Sequence, residues 1–195
     1  MITSQDRSGW FGASDASYIM GNWGTKTFKK WWMIKLGIDT SHFTNVSMNA
    51  GTYYEHAILD CLGVPRKDYQ ILLPEYRLRI NYDGDGFGRV DEVKTYKFEK
   101  GFKVSKAYWQ QAQVQMFGKL KTEKEIPAHN IWAYGLLDED YKNFFNPIDK
   151  ERLKAYPTEY DRVFIDNFLM RVDYLKYCLE KGVMPDEGFT VRENC

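Results

Sequence analysis

The densest group of residues capable of acid–base chemistry lies in one stretch, NYDGDGFGRVDEVKTY at 81–96. Asp83 precedes a glycine-rich segment, and Glu92 and Lys94 follow that segment two residues apart. In a strand through 90–95, Glu92 and Lys94 project from the same face, because side chains alternate with a period of two. If the segments on either side of the glycines pair as a hairpin, Asp83 and Glu92 converge at its opening.

Two carboxylates that meet at a strand end form a hard-oxygen site suited to Mg²⁺, with Mn²⁺ as a substitute. A lysine beside them orients or helps to deprotonate a water, or stabilises developing negative charge. These residue types therefore predict metal-assisted hydrolysis of a phosphodiester. From the residues alone, the alternative is a solvated hairpin that carries ordinary surface charges.

A calcium-binding module is an alternative of another class. The EF-hand pattern D-x-[DN]-x-[DN]-G-x5-E nearly fits 81–92, through Asn81, Asp83, Asp85, Gly86 and Glu92. The first position is Asn rather than Asp, and an EF-hand requires a helix on each side of the loop. Both flanks, YRLRINY and VKTY, alternate as strands do, which favours the hairpin.

Two polar residues on predicted helices are expected to face the same site. Glu55 shares a helix face with the apolar Ile58 and Leu59, where a carboxylate is costly unless it is paired or bound to metal. Gln113 shares a face with Trp109 and other large apolar residues, whereas Gln111 and Gln115 are expected to point elsewhere. The alternative for each is a buried polar group that the backbone satisfies.

Both β-strands and α-helices are predicted to position these residues. Alternation of Tyr76, Leu78, Ile80 and Tyr82 with polar residues predicts a strand that runs up to a turn at 84–88. Further strands are predicted near 89–96 and at 130–137. Helices are predicted at about 15–20, 28–36, 48–62, 105–117 and 159–181, the first two capped by Ser14 and Thr27. We therefore predict a single α/β (α+β) domain over 1–195, with a central mixed sheet flanked by helices.

Composition limits the classes of function. Of 195 residues, 44% are hydrophobic and 16% aromatic, which excludes a disordered chain. The 27 basic and 27 acidic side chains balance, so binding to nucleic acid must depend on local clusters and a specific site. The sequence has neither an apolar run of bilayer length nor the pattern of a signal peptide, and its three cysteines form no CxxC pair. We expect a cytoplasmic protein with no membrane partner.

Four segments, taken in order, resemble a known family. They are RSGWFGASDASYIMG at 7–21, MNAGTYYEHA at 48–57, NYDGDGFGRVDEVKT at 81–95 and YWQQAQVQMFG at 108–118. Their order and spacing resemble the lambda-exonuclease and YqaJ-like viral recombinase nucleases of the PD-(D/E)XK superfamily. The resemblance covers most of the chain as separate islands, and it implies a restriction-endonuclease-like core.

The resemblance also implies a role for each matching residue. Asp83 and Glu92 would bind the metal together with the Val93 carbonyl, Lys94 would be the catalytic lysine, and Glu55 would assist at the metal. Gln113 would be the glutamine of the active-site helix, with Gln110 and Gln111 as alternatives because the QQAQVQ run leaves the register open. Arg7 and Ser14 would bind the 5′ phosphate of the substrate. Tyr82 stands where the family often has proline before its aspartate.

The implied activity is a Mg²⁺-dependent deoxyribonuclease, a 5′-to-3′ exonuclease on linear double-stranded DNA in phage-type recombination or DNA processing. A DNA endonuclease or nickase of the same fold is the enzymatic alternative, because the metal chemistry is shared. The family resemblance further implies a homo-oligomer in the form of a ring-shaped trimer and a single-strand annealing protein as partner. For a phage-encoded chain the compartment would be the host cytoplasm.

Overall fold

A five-stranded mixed sheet forms the centre of the structure. The structure is a computed structural model and describes residues 8–39 and 46–189. For residues 46–50 it describes the helical backbone only. The strands follow chain order across the sheet: β1 (Arg66–Leu73), β2 (Leu78–Gly86), β3 (Arg89–Lys97), β4 (Ala128–Leu136) and β5 (Leu153–Pro157). The β3–β4 pair is parallel, and the other three pairs are antiparallel. The predicted α/β class with a mixed sheet is confirmed.

Five α-helices account for half of the remaining described chain: α1 (Ala16–Ile19), α2 (Lys26–Lys35), α3 (Val46–Cys61), α4 (Lys106–Glu123) and α5 (Arg162–Lys181). The crossover between the parallel strands β3 and β4 contains α4, as a parallel pair requires. Ser105 and Asp161 cap α4 and α5 by accepting the N–H groups of Tyr108 and Phe164. No helix among the described residues is both long and apolar enough to cross a bilayer.

Two apolar clusters lie on opposite faces of the sheet. The larger joins α1, α2, α4 and α5 to the alternating Leu78, Ile80 and Tyr82 of β2, each at most 1% exposed. The smaller joins α3, through Tyr54, Ile58 and Leu59, to Val93, Tyr134 and Leu136. Because neighbouring residues of β3 face opposite clusters, side chains on this strand reach both α3 and α4.

The hairpin turn is shorter than predicted. It consists of Phe87 and Gly88, both at positive φ (56° and 73°), as a type I′ hairpin turn requires. Gly84 and Gly86 belong to β2, where their lack of a side chain serves close packing. A Cβ on Gly86 would lie 2.4 Å from the ring of Pro65, and one on Gly84 would lie 2.7 Å from Leu59.

Other predicted boundaries were wrong. Ser14 is not the N-cap of the first helix, because it lies inside a 3-10 turn (Ala13–Asp15) that leads into α1. The cap of α2 is Thr25 rather than Thr27, and its hydroxyl accepts the Phe28 N–H. The helix predicted at 105–117 continues to Glu123. The sequence pattern missed β1 and β5, which lie at the two edges of the sheet.

The EF-hand alternative is wrong as well. Residues 81–92 lie in β2, β3 and the turn between them, so the two helices that an EF-hand needs are replaced by strands. Asp85, a ligand position in that pattern, accepts a hydrogen bond from the buried Lys119 ammonium at 2.7 Å.

Candidate active site

The candidate site forms where β2 and β3 separate. Their ladder runs from Gly86–Arg89 to Gly84–Asp91 and stops there. Continuing the same register places Asp83 opposite Glu92. At this point the Asp83 carboxylate, through Oδ2, accepts the Val93 N–H at 2.8 Å. The Asp83 side chain thus accepts a backbone N–H of β3 where the two strands separate, and this hydrogen bond fixes Asp83 against β3.

Glu92 is the most heavily hydrogen-bonded member of the site. It is 3% exposed, and its Oε1 accepts from the Lys94 ammonium, with which it forms an ion pair. Gln111 also donates to Oε1, at 2.5 Å, and Gln115 donates to Oε2 at 2.6 Å. Both glutamines lie on α4, so the helix holds this carboxylate in a single orientation.

Glu55 reaches the same group from α3, on the other side of the sheet opening. Burial, together with the negative charges of Glu92 and Asp68, raises the pKa of Glu55 to about 7. Burial also raises the pKa of Asp83 well above its ordinary value, and the charges of Glu92 and Glu55 add to the effect. The site therefore concentrates more negative charge than its own residues neutralise.

Lys94 is the cation of this group. Burial lowers the pKa of its ammonium, but the charges of Glu92 and Asp83 outweigh burial and the net shift is upward. Burial raises the pKa of Glu92, but the charge and hydrogen bond of Lys94 outweigh it, so Glu92 titrates below its ordinary value. At neutral pH the Lys94–Glu92 pair is charged on both sides, and Lys94 acts as a fixed positive charge.

The donor set fits a hard divalent cation. Glu55, Asp83 and Glu92 are carboxylates, the ligands that Mg²⁺ prefers, and a bound dication would relieve the repulsion that raises two of their pKa values. Val93, which is expected to contribute its carbonyl, donates its N–H to the Asp83 carboxylate, so its backbone lies beside these carboxylates. The structure thus brings together four of the predicted residues, Glu55, Asp83, Glu92 and Lys94.

A residue that the sequence did not indicate extends this acidic region. Asp68 lies on β1 opposite Asp83, between the pairs Lys67–Gly84 and Tyr69–Tyr82, and has a positive φ of 48°. His56 Nε2 lies 2.8 Å from Asp68 Oδ2, and ligand atoms of Glu55, His56 and Asp68 all lie within 4.8 Å of one another. Because the sequence pattern did not reveal β1, nothing signalled this neighbour of Glu55.

The structure does not bring Gln113 to the carboxylates. Its amide donates to the Glu159 carbonyl and accepts the Asp161 N–H, both at 2.7 Å, so it links α4 to the start of α5. Gln111, one of the two alternatives, contacts Glu92 instead. Gln110, the other alternative, is buried. Positions 111 and 115 share one face of the helix, and position 113 lies about 200° from 111, so the expected helix rotation was wrong.

His129, to which the sequence analysis gave no role, holds one of these glutamines. Its Nε2 lies 2.9 Å from Gln115 Oε1, while the amide nitrogen of Gln115 donates to Glu92. Burial lowers the pKa of His129 to about 4, so the ring is neutral at pH 7 and donates from Nε2. This hydrogen bond orients the Gln115 amide toward Glu92. His129 reaches Gln115 because it lies on β4, which pairs in parallel with β3.

Ser14 lies beside a small polar cavity of about 50 Å³ near the carboxylates. Arg79 and Asn81 of β2 share its lining, and the Asn81 carbonyl accepts from the same Gln115 amide that binds Glu92. Asp15 also lines the cavity, but the buried Lys35 ammonium contacts its carboxylate at 2.5 Å and offsets its negative charge. Arg7 lies outside the described residues, so its predicted position beside Ser14 stays a prediction.

The fold is similar to that of solved exonucleases. No protein-family model and no curated protein matches the chain. An alkaline exonuclease, LHK-Exo from Laribacter hongkongensis, aligns with a TM-score of 0.67 and 19% identity over 90% of each chain. Its complex with dAMP gives a TM-score of 0.66 and 18% identity over 89% of each chain. A phage-related exonuclease from Haemophilus somnus gives 0.63 and 15% over 88% of this chain and 94% of that one. At such identities the likeness establishes a shared fold.

Proposed function

We propose that the protein is a metal-dependent deoxyribonuclease that degrades linear double-stranded DNA in the 5′-to-3′ direction. The observation that carries the proposal is the group of Glu55, Asp83 and Glu92 with the protonated Lys94, built where β2 and β3 separate. The similarity in fold to alkaline and phage-related exonucleases supports the same activity.

Asp83 and Glu92, with Glu55 and the Val93 carbonyl, would hold Mg²⁺, or Mn²⁺ in its place. A bound Mg²⁺ polarises phosphoryl oxygens and lowers the pKa of water. The Lys94 ammonium stabilises negative charge that develops on the scissile phosphate. Glu55, with a pKa of about 7, is able to hold or release a proton near neutral pH. Gln111 and Gln115 keep the Glu92 carboxylate oriented.

Recognition of a 5′ phosphate is proposed at the cavity beside Ser14. Ser14 and Arg79 supply a hydroxyl and a guanidinium to this space, and Arg7 would add a second guanidinium. Because Asn81 links the cavity to the Gln115–Glu92 contact, an end bound there lies next to the carboxylates. A phage-type recombination role, a ring-shaped trimer and an annealing partner are parts of this proposal that derive from the family resemblance.

The experiment compares linear duplex DNA with covalently closed plasmid in Mg²⁺ and in EDTA. We expect Mg²⁺-dependent release of nucleotides from linear DNA, faster from 5′-phosphorylated than from 5′-hydroxyl ends, and none from the closed circle. Equal rates on both DNAs would make the protein an endonuclease or nickase instead. Lys94→Ala should remove activity, whereas Lys26→Ala, a matched deletion on the exposed face of α2, should not. Wild-type activity in Lys94→Ala would overturn the assignment of the site.

A further inference from the structure

A wide groove lies beyond the carboxylates, along the same strand. It has a volume of about 670 Å³ and begins at Thr95, directly after Lys94. Its lining includes Lys97, Lys100 and Lys142, together with Tyr96 and Tyr141. At about 3.3 Å per residue along β3, Lys97 lies about 10 Å from Lys94, so the groove continues outward from the candidate active site.

The charge of this lysine groove is positive. Asp138 is an acidic residue in its lining, and it contacts Lys97 at 3.5 Å, while Glu99 contacts Lys97 at 2.8 Å. Among the residues that the structure describes, no carboxylate forms an ion pair with Lys100 or Lys142, and both lysines are exposed. The groove thus presents two uncompensated ammonium groups to a ligand, which favours a polyanion.

Three aromatic side chains, of which Tyr53 and Phe145 are exposed and Phe144 is partly buried, lie on α3 and on the loop that supplies part of the groove lining. The loop after β4 that supplies Tyr141 and Lys142 also carries Phe144 and Phe145. Tyr53 of α3 stacks on Phe144 with ring centroids 5.1 Å apart, and Phe145 is 87% exposed. We call Tyr53, Phe144 and Phe145 the aromatic rim. Large apolar side chains left this exposed beside a charged groove mark a binding surface.

We propose that the lysine groove and the aromatic rim bind single-stranded DNA next to the active site. Surfaces that bind single strands combine a basic groove for the backbone with aromatic rings on which bases stack. Along its length a duplex keeps its bases paired and stacked inside, so only its terminal pair offers a free base face, whereas every base of a single strand does. A second copy of this chain would bring the uncompensated Lys100 and Lys142 against like charge if the same surfaces met. This inference rests on the proposed nuclease function and adds to it a binding site for single-stranded DNA.

The test measures the anisotropy of a fluorescein-labelled oligothymidylate in EDTA, which prevents cleavage, over a series of salt concentrations. The double variant Lys100→Glu/Lys142→Glu should bind at least about 10-fold more weakly. The slope of log affinity against log salt should fall by about 1.4, because each phosphate contact on a single strand contributes about 0.7. The charge-matched control is Lys26→Glu/Lys30→Glu on α2, two exposed lysines outside the groove, and it should leave both quantities near wild type.

Phe145→Ala tests the aromatic rim. Loss of one stacked base should weaken binding by about 5-fold or more. The matched control is Phe87→Ala, because Phe87 is 86% exposed at the tip of the β2–β3 hairpin, at the other end of β3. Neither residue is buried, so both variants should fold as the wild type does. The control should bind the oligonucleotide as tightly as wild type.

Two outcomes would overturn the proposal. One is equal affinity in the groove and control charge variants, whether unchanged from wild type or reduced alike. The other is a change in sedimentation of Phe145→Ala without a change in affinity. The last outcome would identify the rim as a contact between copies. Failure of the nuclease proposal is separate, because it would appear as wild-type protein that does not hydrolyse linear DNA with Mg²⁺. Hydrolysis by wild type with unchanged binding in the groove variants would overturn the groove alone.

Discussion

Asp83 and Asp85 lie two residues apart on β2, yet their surroundings are opposite. Asp85 accepts from the buried Lys119 ammonium at 2.7 Å and faces a local cation, so its charge is matched within the fold. Asp83 faces Glu92 and Glu55, and the three carboxylates share the positive charge of Lys94. The compensated aspartate stabilises the fold, and the uncompensated one retains the capacity to bind a cation.

The Lys35–Asp15 pair is a second example of the compensated kind. Lys35 is 3% exposed and donates to Asp15 and to the Trp10 carbonyl, while the Trp31 indole also donates to Asp15. All of these partners come from the protein itself. What distinguishes the candidate active site is therefore the balance of charge around its buried groups, since buried charge occurs at both kinds of site.

The largest expected effect is on activity, and the pair Asp83→Asn and Asp85→Asn tests it. Asp83→Asn should lower DNA hydrolysis by about 10³-fold, because a metal-binding carboxylate is lost, while its amide oxygen still accepts the Val93 N–H and the fold persists. Asp85→Asn should leave activity per folded molecule nearly unchanged but cost about 2 kcal/mol of unfolding free energy, since it removes one of the two carboxylates that pair with the buried Lys119. Hydrolysis rates and urea unfolding measure the two effects.

The comparison fails if both variants lose activity equally without loss of stability. A control for the mechanism at Asp85 is the double variant Asp85→Asn/Lys119→Met, which removes the cation that Asp85→Asn leaves with Glu123 as its remaining carboxylate. It should recover part of the lost unfolding free energy. No recovery would mean that Lys119 is satisfied by Glu123, its second contact at 2.5 Å, rather than by Asp85.

The glutamines of α4 also differ in role, since Gln111 contacts the candidate active site and Gln113 links two elements of the fold. Gln111→Ala should lower activity by about 10-fold to 100-fold with little change in stability, because residues that orient a metal ligand contribute effects of this size. Gln113→Ala should instead lower the unfolding free energy by about 2 kcal/mol, because it leaves the Asp161 N–H and the Glu159 carbonyl without their partner. Steady-state rates and thermal melts of the two variants distinguish the roles. The opposite pattern would restore Gln113 as the active-site glutamine.

His129 should have a smaller effect, on the dependence of activity on Mg²⁺. His129→Phe removes the donor that orients the Gln115 amide, so the Mg²⁺ concentration for half-maximal activity should rise by about 10-fold. His129→Gln retains an N–H donor and should recover part of that loss. If the conservative variant is as impaired as His129→Phe, the ring serves packing rather than orientation.

The most gradual expected effect is the pH dependence of stability at Glu55, which is spread over about three pH units. Its pKa in the fold is about 7 against an ordinary value of 4.5, so its favourable contribution is complete below about pH 4.5 and is lost as the pH rises through 7. Glu55→Gln does not titrate. In metal-free protein its stability relative to wild type should therefore increase by on the order of 2 kcal/mol between about pH 5 and about pH 8.

Thermal melts of the two metal-free proteins across this pH range give the difference directly. Added Mg²⁺ should stabilise wild type more than Glu55→Gln, because only the wild-type side chain offers a charged ligand. A difference in melting temperature that does not change with pH would show that Glu55 is not held against other negative charge.

Regular local patterns made much of the fold predictable. The alternation in β2 and the apolar face of α5, where Phe164, Phe168 and Val172 are all buried, are both visible in sequence because burial follows the period of the element. The edge strands β1 and β5 lacked such a pattern. Each has one face and one edge that are only partly covered, so burial along them is irregular and follows no period of two.

For the site, the sequence by itself determined the residue types and their strand spacing, so Asp83, Glu92 and Lys94 were recognisable, and Glu55 followed from a carboxylate on an apolar helix face. Only the tertiary structure decided which glutamine meets Glu92, because one residue of helix rotation moves a side chain by about 100°. Tertiary structure also decided that Asp68 lies beside Glu55 and that His129 lies beside Gln115, since each contact joins two different elements. It further showed why an equal count of acidic and basic residues did not indicate the partner. Buried lysines balance the charges of Asp15 and Asp85 inside the fold. At the candidate active site, three carboxylates share the single Lys94 ammonium, and their excess negative charge is available to a bound cation.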